Sequence, residues 1–251
     1  MLSIFFINWF DPMHIANSQR KIEKRFWFAA SFFFVLLFSP LIADDSSYWQ
    51  YPTVLGSLFL FISSIFIALI FRNRAKKMDT LKQGISLLAK WELSESQLVE
   101  YAREAKKESL EKNKVIISII AFFFIFFTSV FLFFMDEDRL QFAILMFSGL
   151  LFPLIAAFLM PVYTFNKQMN GDRKVLIGKK FAYFNGSFHN WDYPLSGLTK
   201  TTIIKKPFYG IFLSYYYTDR TLTHSAELKI PAPTNLNLNE LVDNLKSANK
   251  K

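Results

Sequence analysis

"SESQLVEYAREAKKESLEKNKVIISIIAFFFIFF", from Ser94 to Phe127, opens as a highly charged helix and becomes a wall of Phe and Ile with neither Gly nor Pro between. A helix that changes solvent halfway along belongs to a chain that lies partly in water and partly in lipid. Its start is well specified. Ser94 is a good N-cap, Gln97 completes a capping box with it, and Leu93 is placed to meet Leu98 as a hydrophobic staple. Glu100 with Arg103, Glu104 with Lys107, Lys107 with Glu111 and Glu108 with Lys112 are attractive neighbours, against the repulsion between Glu104 and Glu108. With no breaker before Met135, the spacing predicts one helix of about 40 residues and about 60 Å, roughly half of it outside the membrane. The charged half has a thin apolar stripe of Leu98, Tyr101, Ala102 and Ala105, enough to contact a partner on one side. A second helix over Met78 to Trp91, with Leu81, Ile85, Leu88 and Ala89 at helical spacing, is the natural candidate for that partner. The pair is then either a solvated hairpin or a lever that couples the membrane part to a C-terminal domain.

Working outward, Phe contributes 31 of the 251 residues, far more than a soluble core of this size would use. Four segments are free of Asp, Glu, Lys, Arg and His: Phe26 to Ala43, Thr53 to Phe71, Val115 to Phe134 and Gln141 to Tyr163. Each has about 18 to 23 residues, the length that a bilayer demands of a helix. The connections "DDSSYWQYP" and "MDEDRL" are short, so the spans are expected as two hairpins. The start, "MLSIFFINWF", has neither the basic residue nor the small-residue pattern of a signal peptide, and an interfacial position suits it better. The expected organisation is an N-terminal segment 1–25, a first hairpin 26–71, a helical excursion 72–114, a second hairpin 115–163 and a C-terminal domain 164–251.

Of the 29 Lys and Arg, only Arg139 falls in the two hairpin loops. The positive-inside rule therefore assigns both termini and the central excursion to the cytoplasm. The same asymmetry accounts for the net charge of +9, so a nucleic-acid partner is not expected. There is no cysteine, which removes disulfides, thiolate metal sites and cysteine nucleophiles. The spans hold no ionisable group of the kind that ions and protons cross beside. Gly56, Ser57, Ser63, Ser64 and Ala68 let the second span approach a neighbour closely, either inside this chain's bundle or in an oligomer. Pro153 and Pro161 are expected to kink the fourth span.

After Tyr163 the pattern changes to short strands. "KVLIG", "KFAYF" and "SFHNW" form a meander whose second turn is Asn185-Gly186, a strong hairpin signal. Further strands are expected at Thr201 to Lys205, Gly210 to Thr218 and Thr223 to Ile230. "IPAP", Ile230 to Pro233, ends the sheet, and Leu238, Leu241, Val242 and Leu245 mark an amphipathic helix capped by Asn237 with Glu240. Six or seven strands closed by one helix resemble the small, partly open barrel of the pleckstrin-homology-like domains of bacterial membrane proteins. "AKWELSESQ" around Trp91, "FNGSFHNW" ending at Trp191 and "IPAP" together look like a family of bacterial four-span membrane proteins. That family favours Pro-Val-Pro near the last strand, from which Ala232 departs, and it has no activity to carry over. The resemblance implies an inner-membrane location.

His14, His189 and His224 are unpaired at helical spacing, so no metal site and no cofactor are expected. No nucleophile elbow, P-loop or GxGxxG is present. Within pleckstrin-homology-like domains the first-hairpin loop meets lipid headgroups. That makes Lys179 and Lys180, with Lys205, Lys206 and Arg220 in later turns, the candidate lipid-binding residues. The function expected is a membrane-anchored, non-catalytic interaction or scaffold protein whose partner is lipid, another protein or a second copy. Two alternatives stay open: an accessory subunit of a transport system, or a membrane enzyme for which Asp172 and Asp192 are the nearest acids.

Overall fold

The computed structural model describes residues 15–39, 50–134, 137–219 and 222–250. Helix α1 (Ser18–Leu36) leads to α2 (Gln50–Lys82), strand β1 (Leu87–Glu92), α3 (Glu95–Phe134) and α4 (Arg139–Met169). Strands β2 (Lys174–Gly178), β3 (Phe181–Phe184), β4 (Ser187–Asn190), β5 (Ser196–Ile204), β6 (Gly210–Asp219) and β7 (Leu222–Pro231) follow, and α5 (Leu238–Ala248) ends the order.

Among the described residues three helices, α2, α3 and α4, are long and apolar enough to cross a membrane. The first expected span, Phe26 to Ala43, begins in α1 and passes outside the described residues after Ser39. Helix α1 lies antiparallel to α2: Asn17 bonds the Ala75 carbonyl at one end, Phe26 stacks on Phe71, and Phe34 meets Phe61 further along. Helices α3 and α4 form the second antiparallel pair, with Asn113 Nδ2 donating to the Ala157 carbonyl at 2.8 Å and Phe131 against Phe142. Helix α4 runs without interruption through Pro153 and Pro161.

Helix α3 has 40 residues and starts as its sequence dictates. The Ser94 amide donates to Gln97 Oε1 at 3.1 Å and the Gln97 amide to Ser94 Oγ at 3.2 Å, the reciprocal pair of a capping box. Leu93 and Leu98 are both buried in one core.

The expected helix from Met78 to Trp91 is corrected. Helix α2 continues as far as Lys82 and is then stopped by Gly84 at φ 80°. The Gly84 amide bonds the Leu81 carbonyl and the Ile85 amide the Thr80 carbonyl, the two bonds of a Schellman motif. Leu88, Ala89 and Trp91 therefore lie on a strand, and 72–114 is not helical throughout. Strand β1 pairs antiparallel with β2, Trp91 opposite Val175, so the middle of the chain supplies the edge of the C-terminal sheet.

That sheet has the order β1-β2-β3-β4, and a second sheet has the order β5-β6-β7, both antiparallel. Asn185 and Gly186 join β3 to β4 with φ of 47° and 89°, the two positive values that a type I′ turn requires. The first sheet is buried on both faces, because alternate residues enter different cores. Val175, Ile177, Ala182 and Phe184 face the second sheet, α5 and the start of α3. Leu176, Phe181, Tyr183 and Phe188 face Met78 and Leu81 of α2 and Ile15 ahead of α1. The start of α3 and the end of α4 reach the same domain, through Tyr101 on Phe184 and through Asn185 Nδ2 donating to the Gln168 carbonyl at 2.7 Å.

Candidate membrane-interface site

Where the apolar parts of α1 and α2 end, at Phe26 and Phe71, exposed basic residues begin: Arg20, Lys21, Lys24 and Arg25 on one helix, Arg72 and Lys76 on the other. Polar contacts fix the helix ends beneath this collar. Asn17 caps α1 by accepting from the Arg20 amide, and its Nδ2 donates to Asp79 Oδ1 at 2.7 Å. Arg20 pairs with the other oxygen of Asp79. Burial pushes the Asp79 carboxyl up, and the bonds from Arg20 and Asn17 more than offset this, leaving it below the usual carboxylate value.

Two further cations of α2 tie it to the sheet. Arg74 donates to Gln19 Oε1 at 2.8 Å and to the Phe188 carbonyl at 3.0 Å, and its guanidinium lies over the Phe71 and Phe188 rings. Lys77 pairs with Asp192 at 2.9 Å and sits 4.9 Å from the Tyr193 ring centroid. Lys180 reaches the other Asp192 oxygen at 3.3 Å. Burial raises the Asp192 carboxyl, and Lys77 and then Lys180 bring it below its ordinary value.

The expected lipid-binding lysines lie in two separate turns, β2–β3 and β5–β6. Moving along α2 away from its apolar segment, Arg74 meets Phe188, Lys77 meets Asp192, and the turn beyond Lys82 meets the β2–β3 turn through the Lys179 amide on the Ser86 carbonyl. Lys179 and Lys180 thus lie at the end of the sheet remote from the apolar part of α2. Lys205 and Lys206 are exposed in the β5–β6 turn. Arg220 lies outside the described residues. In α2, Ser57, Ser64 and Ala68 are buried along one stripe with Ala75, while Ser63 is half-buried and Gly56 is exposed.

On the other side, α3 runs beside β7. Gln97 Nε2 donates to the Ala232 carbonyl at 3.2 Å and Lys229 to Glu108 at 2.8 Å, and Glu108 also holds Lys112 at 2.9 Å. Those two lysines depress the Glu108 carboxyl against the effect of its burial. Tyr101, Glu104, Glu108, Phe208, Glu227 and Lys229 line a cleft of about 160 Å³ here, below the roughly 300 Å³ at which small-molecule pockets begin. Burial, with help from Glu108, pushes the Tyr101 hydroxyl up to about 12.

The acids named from the sequence are held by structure. Asp172 accepts from the Tyr183 hydroxyl and from the Lys174 amide. His189 Nδ1 lies 3.1 Å from the Tyr215 hydroxyl, and burial with the charge of Arg74 lowers its pKa to about 4. Among the described residues no group of three acids and histidines could hold a metal ion. His14 lies outside the described residues.

The three stretches that carried the family resemblance meet in one core. Trp91 Nε1 donates to the Pro231 carbonyl at 2.9 Å, and Trp191 is buried beside Tyr215 in the same cluster. Sequence reasoning missed Arg74 and Lys77 as tethers, because it counted them only as topological charge. Comparison with family models, curated proteins and solved structures gives no match.

Proposed function

We propose that this chain is a bacterial inner-membrane protein of four spans that holds a pleckstrin-homology-like domain at the cytoplasmic surface as a non-catalytic interaction module. The observation that carries this reading is the two-sided seating of the domain. The membrane-bound helix α2, with Ile15 ahead of α1, covers one face of the first sheet, and the start of α3 enters the core on the other. A domain fixed in this way cannot roam in search of partners, so its task is to present a surface at a set height above the bilayer. With β1 the strands among the described residues number seven, four in one sheet and three in the other, ahead of a C-terminal helix, which agrees with a partly open barrel.

The lipid-binding residues are reassigned within this proposal. The collar of Arg20, Lys21, Lys24, Arg25 and Arg72 borders the apolar helices and suits anionic headgroups, each contact contributing about 1 kcal/mol. Lys179, Lys205 and Lys206 then belong to the surface open to a protein partner. The test is amide exchange of the full-length protein in nanodiscs of zwitterionic or partly anionic lipid. Anionic lipid is expected to slow exchange at the ends of α1 and α2, an effect removed by high salt or by changing the collar to Gln. Identical exchange in the two lipids would defeat the headgroup assignment.

A further inference from the structure

The second sheet carries its apolar face further than the core needs. Along β6, Ile211, Leu213 and Tyr215 alternate into the core, and Tyr217 continues the same phase past its edge. On β7, Leu228 and Ile230 are buried, and Leu222, in the same phase, lies beyond the core. At the same end of the sheet, the Leu195 carbonyl accepts from the Thr218 amide. Leu195 is 72% exposed, Leu222 65% and Tyr217 42%, with Tyr217 stacked on His224. Three exposed apolar side chains at one hairpin end need a partner that covers them.

The contacts with α3 show which way this end points. Going down β7 from Ala232 to Lys229, the partner on α3 moves from Gln97 to Glu108, toward the apolar half of the helix. From Glu108 the charged half has only about 10 Å left before Val115. From Lys229 the strand continues for about 23 Å to Leu222. The strand outruns the charged part of the helix even at a steep incline. The first helix pair agrees, since Tyr215 bonds His189, whose neighbour Phe188 holds Arg74 of α2, one turn from Phe71.

We propose that the side chains of Leu195, Tyr217 and Leu222, beside the end of β6 and the start of β7, insert into the interfacial layer of the bilayer that holds the helices. Aromatic and Leu side chains suit this layer, where one end of a ring is apolar and the other wet. The partner is the lipid interface itself, and the contact is apolar rather than a basic patch on headgroup charge. It fixes the domain at a third point, beyond its seats on α2 and α3. The inference rests on the membrane reading above.

The chain has no cysteine, so single-cysteine probes report cleanly in the full-length protein reconstituted in vesicles. An environment-sensitive fluorophore is placed at Leu222→Cys and Leu195→Cys, at Lys205→Cys on the opposite turn, and at Phe126→Cys within α3. The expected result is that lipid carrying a shallow spin label quenches most of the emission at 222 and 195, with iodide ineffective there. Lys205→Cys should show the reverse, and Phe126→Cys should respond to a deep spin label. Iodide quenching at 222 and 195 as strong as at 205 overturns the inference alone. Shielding from iodide without lipid quenching also overturns it, since a second copy or another protein would then cover the end. A probe at 126 that no lipid label reaches sinks the membrane reading and this inference with it.

Discussion

His189 shows how one side chain can set the conditions under which the domain is stable. Its ring is half-buried against Tyr215, and this burial with the positive charge of Arg74 lowers its pKa from 6.5 to about 4. The unfolded chain takes up this proton near pH 6.5 and the folded chain does not. Stability is therefore full above that value and falls as the pH drops, the loss levelling off below about 4. By pH 5 the loss is about 2 kcal/mol, taken from the two pKa values by linkage. Thermal melting in detergent should show the native protein weakened between pH 7 and 5 and His189→Gln nearly indifferent over that range. Equal slopes for the two proteins would show that the ring is not the group that titrates. Asp192 and Asp79 have folded pKa values below their ordinary ones, so their contribution is lost only at lower pH and does not obscure this window.

At the scale of elements, the boundary between β1 and α3 is where the long helix begins and where its cap is set. Ser94 and Gln97 satisfy each other's amides, and Leu93 and Leu98 pass directly into the core. Ser94→Ala removes one capping acceptor and should cost about 1 kcal/mol. Its signature is local: amide exchange over the first turn of α3 and the adjacent β1 should quicken about fivefold, with α4 unchanged. A change spread evenly over the whole chain would contradict the assignment of the cap. This helix was legible because each of its signals is local, the cap within four residues and the change of solvent within one segment. The Asn185-Gly186 hairpin and the amphipathic α5 were legible for the same reason. Strand β1 was not, because Leu81, Ile85 and Leu88 also fit a helical period and its partner Val175 lies far along the chain. The local signal that would have exposed the error is Gly84, placed where a helix takes a left-handed cap. The tethers of the candidate site escaped the sequence for the same reason, since Lys77 meets Asp192 across more than a hundred residues.

For the whole molecule, the important fact is that the C-terminal strands do not own their core. One core takes Trp91, Leu93 and Leu98 from the middle of the chain, and the other takes Met78 and Leu81 from α2 and Ile15 from just ahead of α1. Fully burying side chains of this kind contributes about 1.5 to 3 kcal/mol each, so the six together are comparable to the roughly 5 to 15 kcal/mol by which a domain is stable. A fragment from Asp172 to Lys251 keeps β2 to β7 and α5 but exposes both faces of its first sheet. It should bind a hydrophobic dye, lack near-ultraviolet circular dichroism and melt without a cooperative transition. The full-length protein in detergent should melt cooperatively, with β1, the end of α2 and the start of α3 losing protection together with the C-terminal sheet. A sharp melt from the fragment alone would mean that the helices merely rest on a finished domain. In that case the domain could tilt on its tethers, and neither its height above the bilayer nor the direction of the β6–β7 hairpin would follow from the helices.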